Sequence, residues 1–149
     1  FITFCALSEA KGMDINMKNI YTFRVVWGDT DAAGIVFYPN FYRWMDQASH
    51  ELLRSAGFPV AKLQSDEKII TPLLEAFCQF KSPLLYDDEV AVHSEVVEVN
   101  NKVFKIKHTF KKGDQVVAEG HEVRAWTSVA EDRPKAVPVP EHVKNILLS

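Results

Sequence analysis

GDTDAAGIVFYPNFYRWMD, residues 28 to 46, begins as a turn of small and acidic residues and continues as an amphipathic helix. Residues 21 to 27, YTFRVVW, precede it and are aromatic or β-branched, which is typical of a strand. Pro39 is expected at the first helical position, because proline has no N–H to lose there and its φ is already helical. Tyr38 is then the N-cap residue. The stretch therefore predicts a strand, a turn and a long helix in succession.

The turn carries two carboxylates, Asp29 and Asp31, and small residues up to Gly34. Small residues let a ligand approach the backbone closely. The helix N-terminus at Tyr38 presents free N–H groups and a partial positive charge. If the segment folds back, a carboxylate and an oxyanion donor would face each other across a gap sized for an acyl group. The residues alone leave a second interpretation open, in which both carboxylates only bond nearby backbone N–H groups.

The predicted helix has three kinds of surface at helical spacing. Its apolar face consists of Phe41, Trp44, Met45, Ala48 and Leu52. The opposite face is charged or polar, and an intermediate strip consists of Tyr42, Asp46, Ser49 and Leu53. This strip suggests a subunit contact or a ligand wall. Asp46 is its unusual member, although spacing alone is equally compatible with a partly exposed helix carboxylate.

After the helix, Gly57 and Pro59 are stop signals, and residues 61 to 67 are expected to add at most one helical turn. Residues 69 to 85 form a long strand candidate with prolines near its ends. Three alternating runs follow at residues 89 to 99, 103 to 112 and 116 to 129. The Gly113-Asp114 pair predicts a hairpin. Gly120 interrupts the alternation of the last run and is interpreted as a bulge.

One face of the run at residues 103 to 112 is expected to be buried, and it carries Phe104, Ile106, His108 and Phe110. A short helix is predicted from Pro140 to the C-terminus. One long early helix followed by antiparallel strands predicts an α+β fold, with the helix packed on one face of a curved sheet.

Length and composition predict one globular domain, because 149 residues with 47% hydrophobic content suffice for one core. Residues 1 to 18 have neither a basic n-region nor a cleavage site, and their apolar run is too short to span a bilayer. We interpret them as a poorly ordered leader, either an upstream start or a remnant of cloning. The domain is then expected to cover residues 19 to 149.

Charge and motif content argue against several classes of function. A net charge of -3 and a pI near 6.0 argue against a nucleic-acid-binding protein. Cys5 and Cys78 stand far apart without a CxxC, which favours a reduced, cytoplasmic compartment and gives no zinc signal. The histidines are not at ligand spacing, so no metal is expected. Neither a nucleotide-binding glycine motif nor a serine-hydrolase elbow occurs, so no cofactor is expected.

The sequence resembles the 4-hydroxybenzoyl-CoA thioesterase type of the hotdog-fold acyl-CoA thioesterase family. The resemblance is carried by the stretch at residues 28 to 46, by ITP at residues 70 to 72 and by YDDEV at residues 86 to 90. The order of predicted elements is similar to that of the family from about Tyr21 to the C-terminus. It implies a hotdog fold, a homodimer whose sheets join edge to edge with sites between subunits, and commonly a homotetramer.

The resemblance also implies roles for individual residues. Asp31 corresponds to the catalytic carboxylate, as nucleophile or general base, and Tyr38 supplies a backbone N–H to the thioester carbonyl. Asp46 corresponds to a residue that meets a hydroxyl of the acyl ring, and Thr71 to one that lines the acyl pocket. The family often has consecutive arginines before a lysine at the turn where this chain has Asn100, Asn101 and Lys102. Only the lysine is kept, so Lys102 is the candidate for binding the CoA phosphates.

Three functions follow from these residues. The first is hydrolysis of an aromatic acyl-CoA thioester, because Phe37 and Asp46 could bind a hydroxylated ring and Gly34 leaves room for the carbonyl. The second is hydrolysis of short aliphatic acyl-CoA or acyl-carrier-protein thioesters. The third is a non-catalytic acyl-binding protein on the same fold. Asp31 argues against the third, since a binding protein does not need a carboxylate directed at the carbonyl.

Overall fold

The computed structural model of the chain describes residues 17–149. The strands are β1 (Lys18–Arg24), β2 (Ile69–Ile70), β3 (Leu73–Phe80), β4 (Glu89–Asn100), β5 (Val103–Lys112), β6 (Gln115–Ala125), β7 (Thr127–Ser128) and β8 (Lys135–Ala136). The α-helices are α1 (Pro39–Ser55), α2 (Val60–Glu67) and α3 (Glu141–Leu147), and a 3-10 turn spans Trp27–Asp29. The predicted leader lies outside the described residues except for its last two, and Lys18 already belongs to β1.

The main sheet is antiparallel, with five strands in the order β1-β4-β5-β6-β3. The predicted hairpin at Gly113-Asp114 is confirmed as the connection between β5 and β6. Alternation along β5 is also as predicted, because Phe104, Ile106 and His108 are fully buried with Phe110 on one face. A second, three-stranded sheet has the order β2-β7-β8. The predicted α+β layout is confirmed.

Helix α1 begins as predicted, with Tyr38 as the N-cap residue and Pro39 in the first turn. Its predicted apolar stripe is buried along its whole length. The N-terminal half of the helix packs in one core cluster, which includes Phe41, Trp44 and Phe110. The C-terminal half packs in a second cluster with Phe104 and Trp126. A single helix therefore covers both halves of the core.

The ends of several predicted strands were wrong. The first strand ends at Arg24 rather than at Trp27, because the next residues bend into the 3-10 turn. The long candidate at residues 69 to 85 divides at Pro72 into β2 and β3, and the last run divides at Trp126 into β6 and β7. Both breaks occur where the chain passes between the two sheets. Helix α2 has eight residues, which is longer than the single turn expected.

The interpretation of Gly120 as a bulge was wrong. Gly120 pairs in register with both neighbours, Cys78 on β3 and His108 on β5. A Cβ at this position would overlap the carbonyl oxygen of Phe77 and would lie 2.8 Å from the Met45 sulfur. The glycine therefore permits α1 to lie directly on the sheet, and this close approach explains the loss of the alternating side chain.

We expect Gly120→Ala to lower the free energy of unfolding by about 1 to 3 kcal/mol, because the added methyl group overpacks the contact between the sheet and α1. Chemical denaturation monitored by circular dichroism measures this change. Gly28→Ala is the control, since a Cβ there has no atom within 4 Å. Equal stabilities of the two variants would contradict the close-packing explanation.

Candidate active site

Asp29 ties the turn after β1 to the start of α1. Its carboxylate is buried and accepts hydrogen bonds from the Val26 N–H (2.9 Å) and from Arg43 Nη2 (2.9 Å). Its carbonyl oxygen accepts from the Phe37 N–H (2.8 Å) and from Asn40 Nδ2 (2.9 Å). This Asp29 carboxylate is therefore a structural group whose hydrogen-bonding capacity is used within the fold.

Asp31 is exposed, in contrast to Asp29. Its Oδ1 accepts the Ala33 N–H (2.9 Å), and its carbonyl oxygen accepts the Gly34 N–H (2.9 Å). Gly34 has a φ of 79°, a value that glycine adopts without strain. Among residues 17–149, Asp31 Oδ2 has no hydrogen-bond partner. The tight turn thus presents a carboxylate with one oxygen free for chemistry.

Tyr38 follows this turn at the positive end of α1. The backbone N–H of Tyr38 has no hydrogen-bond acceptor within the described part of the chain. Tyr38 is 61% exposed, and its ring lies against Phe37 and Phe80, with ring centroids 5.4 and 6.3 Å away. The residues predicted from the turn, Asp31, Gly34, Phe37 and Tyr38, are therefore contiguous at one end of the helix.

An open cleft of about 410 Å³ adjoins Tyr38. It is mostly apolar, and its walls are Ile35, Val36, Tyr38, Phe41 and residues 80 to 84. Phe41 and Phe80 lie edge to face with centroids 5.0 Å apart. A free N–H beside an aromatic cleft suits a ligand with a polar carbonyl and an apolar body.

Asp46 and Thr71 are brought together by Arg124, which sequence reasoning missed. Arg124 is buried, and its Nη2 donates to Asp46 Oδ1 (2.8 Å) while its Nη1 donates to the Thr71 carbonyl oxygen (2.9 Å). Its Nε and Nη2 donate to the Glu122 carboxylate at 3.2 and 3.1 Å. The negative charge of Glu122 helps to raise the pKa of Arg124 against the opposing effect of burial. Arg124 is therefore a permanent cation in the protein interior.

Glu122 continues this arrangement into the core. It accepts a hydrogen bond from the Ser49 hydroxyl and lies 3.4 Å from His108 Nε2. His108 Nδ1 is 2.7 Å from the Ser94 hydroxyl. We call Ser94, His108, Ser49, Glu122, Arg124 and Asp46 the polar chain. Its sequence signal was the pair of opposite charges at positions 122 and 124, which point to the same buried face of β6.

Electrostatics within the polar chain keep Glu122 ionised. Burial alone raises the pKa of a carboxyl group. For Glu122, the hydrogen bond with His108 and the charge and hydrogen bonds of Arg124 outweigh burial and lower the pKa to about 2. The interior therefore holds a charged Glu122–Arg124 pair at neutral pH.

Lys102 lies apart from the other predicted site residues. It is exposed in the turn between β4 and β5. The first residue of β4, Glu89, pairs with Arg24, the last residue of β1 before the Asp31 turn. Lys102 follows the last residue of β4. A strand of this length spans roughly 36 to 40 Å. Lys102 and Asp31 of one chain are therefore at opposite ends of the sheet.

Other chemistry has little support in the structure. Residues 17–149 contain no group of three or more His, Cys, Asp or Glu side chains that could hold a metal ion. Burial raises the pKa of Cys78 to about 11, so its thiol is not ionised at neutral pH. No helix in the described ranges is both long and apolar enough to cross a membrane.

Residues 25–147 match the family model of the thioesterase-like superfamily. The 4-hydroxybenzoyl-CoA thioesterase of Pseudomonas sp. (strain CBS-3) is 32% identical over 124 residues, which cover 78% of this chain and 88% of that protein. Its solved structure has a TM-score of 0.80 at 28% identity and covers 87% of this chain and 99% of that one. The structure of BH1999 gentisyl-coenzyme A thioesterase has a TM-score of 0.76 at 46% identity, covering 87% and 98%.

The fold and the similarity to these structures define a hotdog-fold thioester hydrolase. Within that class, the chain belongs to the thioesterase-like superfamily. The resemblance to the 4-hydroxybenzoyl-CoA thioesterase type that the sequence showed is confirmed. The hotdog fold that it implied is confirmed as well.

The pKa of Glu122 predicts an acid-sensitive contribution to stability. Because its folded-state pKa is about 2 and its ordinary value is 4.5, the unfolded chain takes up the proton first as the pH falls. Stability from this group is present above about pH 5 and is lost towards pH 2, on the order of 3 kcal/mol in total. We expect Glu122→Gln to remove this part of the pH dependence of unfolding.

Urea denaturation at a series of pH values measures the slope of stability against pH, which is the relevant quantity even if the variant is less stable overall. Glu51→Gln is the matched control, because Glu51 pairs with Arg54 on the exposed side of α1. An identical slope for wild type and Glu122→Gln would show that folding does not lower the pKa of Glu122.

Proposed function

We propose that this protein is an acyl-CoA thioesterase, which hydrolyses a thioester to the free acid and CoA with Asp31 as the catalytic carboxylate. The observation that carries the proposal is the pairing of an exposed carboxylate with a helix N-terminus whose N–H at Tyr38 lacks an acceptor among residues 17–149. Hydrolysis of an acyl group requires a nucleophile or base and a donor for the developing oxyanion. The turn supplies both within a short segment.

Two routes to the products fit this arrangement. In the first, Asp31 attacks the carbonyl carbon, the CoA thiolate leaves, and water hydrolyses the resulting mixed anhydride. In the second, Asp31 takes a proton from water as the water attacks the carbonyl carbon, and the C–S bond then breaks to release the CoA thiolate. The Tyr38 N–H stabilises the oxyanion in either route, and Gly34 leaves space beside the carboxylate. The proposal does not depend on which route is used.

An aromatic acyl group is the proposed substrate class. The similar proteins are named for 4-hydroxybenzoyl-CoA and gentisyl-coenzyme A. The cleft beside Tyr38 is lined by aromatic rings, and Phe37 lies next to it, 49% exposed. Asp46 is then the acceptor for a ring hydroxyl, with Thr71 in the pocket wall. Short aliphatic acyl-CoA or acyl-carrier-protein thioesters are the alternative, and their acyl groups would offer Asp46 no hydroxyl to bind.

A homodimer joined through β3 is part of the proposal. Strand β3 is an edge of the main sheet, and its large apolar side chains are about half exposed: Leu73, Leu74, Phe77 and Phe80. An apolar edge strand invites pairing with another strand. The other edge, β1, exposes mainly polar residues such as Lys18 and Thr22 and is less suited to pairing. The homotetramer expected from the resemblance would need a further interface between two such dimers.

Pairing of two β3 strands would complete the active site. A two-fold axis near the middle of antiparallel β3 strands places Phe80 of one copy opposite the partner's Leu73. The turn with Asp31 and Tyr38 lies at the Phe80 end, and Thr71 precedes Leu73 at the other. Asp31 and Tyr38 of one subunit would then share a site with the partner subunit's Asp46 and Thr71.

Lys102 stays the candidate for the CoA phosphates. Its separation from Asp31 within a chain means that it would serve a site whose Asp31 belongs to another subunit. An exposed lysine in a turn contributes mainly to uniform binding of the nucleotide, which affects KM more than kcat.

Asp31→Asn tests the proposed catalytic role. We expect a loss of about 10² or more in kcat, because asparagine is neither a nucleophile nor a base, whereas its oxygen can still accept the Ala33 N–H. Steady-state hydrolysis of 4-hydroxybenzoyl-CoA measures this loss. Asp29→Asn is the matched control and should chiefly lower thermal stability, since Asp29 is bound within the turn. Substantial activity in Asp31→Asn would remove Asp31 from the mechanism.

Mixing two defective variants tests whether the site is shared between subunits. Asp31→Asn and Asp46→Ala subunits are combined after reversible dissociation, and hydrolysis of 4-hydroxybenzoyl-CoA is assayed. In a shared site, each heterodimer has one site with both substitutions and one with neither, so activity should exceed that of both parents. If both residues act within one chain, the mixture would not exceed the weighted mean of the parents.

A further inference from the structure

Arg124 has an unusual position for an arginine. It lies in the interior of β6, paired in register with Leu73 on β3 and Phe104 on β5, and is only 4% exposed. Long charged side chains are seldom fully buried unless they are paired. Strand pairing alone therefore does not explain why an arginine is buried at this position.

The guanidinium of Arg124 is held by fixed groups. Two donors reach the Glu122 carboxylate, and a third reaches the backbone carbonyl of Thr71. Glu122 is itself held by Ser49 and lies within reach of His108 in the core. Because a guanidinium is planar and its donors form a rigid fork, these contacts define its orientation. The remaining bond, to Asp46, therefore has a defined direction.

Exposure along the polar chain is confined to one end. The side chains of His108, Glu122 and Arg124 are 0%, 1% and 5% exposed, whereas that of Asp46 is 51% exposed. A buried ion pair is often no more stabilising than apolar residues of the same volume. Stability alone therefore explains the polar chain poorly, and Asp46 is the place where it meets solvent.

We infer that Arg124 is a positioning residue that acts through Asp46 to select acyl groups bearing a neutral hydroxyl. This inference rests on the proposed function. Arg124 engages Oδ1 of Asp46, and Oδ2 has no hydrogen-bond partner among residues 17–149. A hydroxyl can donate to that oxygen, an unsubstituted ring cannot, and a carboxylated ring is repelled by its charge. Arg124 holds the carboxylate in place and does not itself reach the substrate.

The test is the ratio of kcat/KM for 4-hydroxybenzoyl-CoA to that for benzoyl-CoA. The double variant Glu122→Gln/Arg124→Gln removes both buried charges together, so neither is left unpaired. Arg124→Lys is the second variant, because a lysine keeps the charge but lacks the planar fork that fixes the directions of the bonds to Glu122, Thr71 and Asp46. We expect the ratio to fall about tenfold in both, the size of one lost hydrogen bond to a charged group. Arg54→Gln, which breaks an exposed ion pair on α1, should leave the ratio unchanged.

The same substitutions in an Asp46→Ala background distinguish positioning from a general structural effect. If Arg124 acts through Asp46, Arg124→Lys should change the ratio no further once Asp46 is absent. An unchanged ratio in a folded Arg124 variant, or an equal fall in the Asp46→Ala background, would overturn the inference. A wild-type protein that hydrolyses neither thioester would overturn the aromatic substrate class of the proposed function. One that hydrolyses both without preferring the hydroxylated ring would overturn only the role given to Arg124.

Discussion

The contact between α1 and the main sheet is the constraint on which the rest of this structure depends. The helix is buried along one face from Phe41 to Leu53, and it covers both halves of the core. Gly120 permits the shortest approach, because any larger residue would meet the backbone of β3 and Met45. This packing holds the N-terminus of the helix at one end of the sheet, beside the Asp31 turn, and Asp46 above Arg124. The candidate site therefore follows from where the helix lies.

Periodicity was sufficient to predict the elements that bury a regular face. The start of α1 followed from Pro39, its buried side from the apolar stripe, and the face of β5 from simple alternation. Periodicity failed where the chain leaves one sheet for another, at Pro72 and Trp126, because local preferences do not report which strands will pair. It also failed at Gly120, since a bulge and a close helix contact leave the same gap in the alternation.

Spacing in the sequence linked candidate site residues to one another only where they are neighbours in the chain. Asp31, Gly34 and Tyr38 belong to one turn, so their spacing carried the information. Arg124 and Asp46 are 78 positions apart, and nothing local links them. The sequence signal was the pair of opposite charges at Glu122 and Arg124 on the buried face of a strand. Buried charges need hydrogen-bonding partners, and these partners come from other elements of the fold. Polar contacts between residues so far apart in the chain cannot be predicted from a single sequence.

Asp29 has a consequence for the timing of catalysis. Its hydrogen bonds join the backbone before the turn, the turn itself and the first residues of α1. The carboxylate of Asp31 and the N–H of Tyr38 are thus parts of one rigid unit, assembled when the protein folds. In the proposed reaction, an acyl group that arrives there meets the candidate carboxylate and the candidate oxyanion donor within one turn, with no loop to be closed first. The slow step of turnover is then expected to be the chemistry or the departure of product, and not a gating motion.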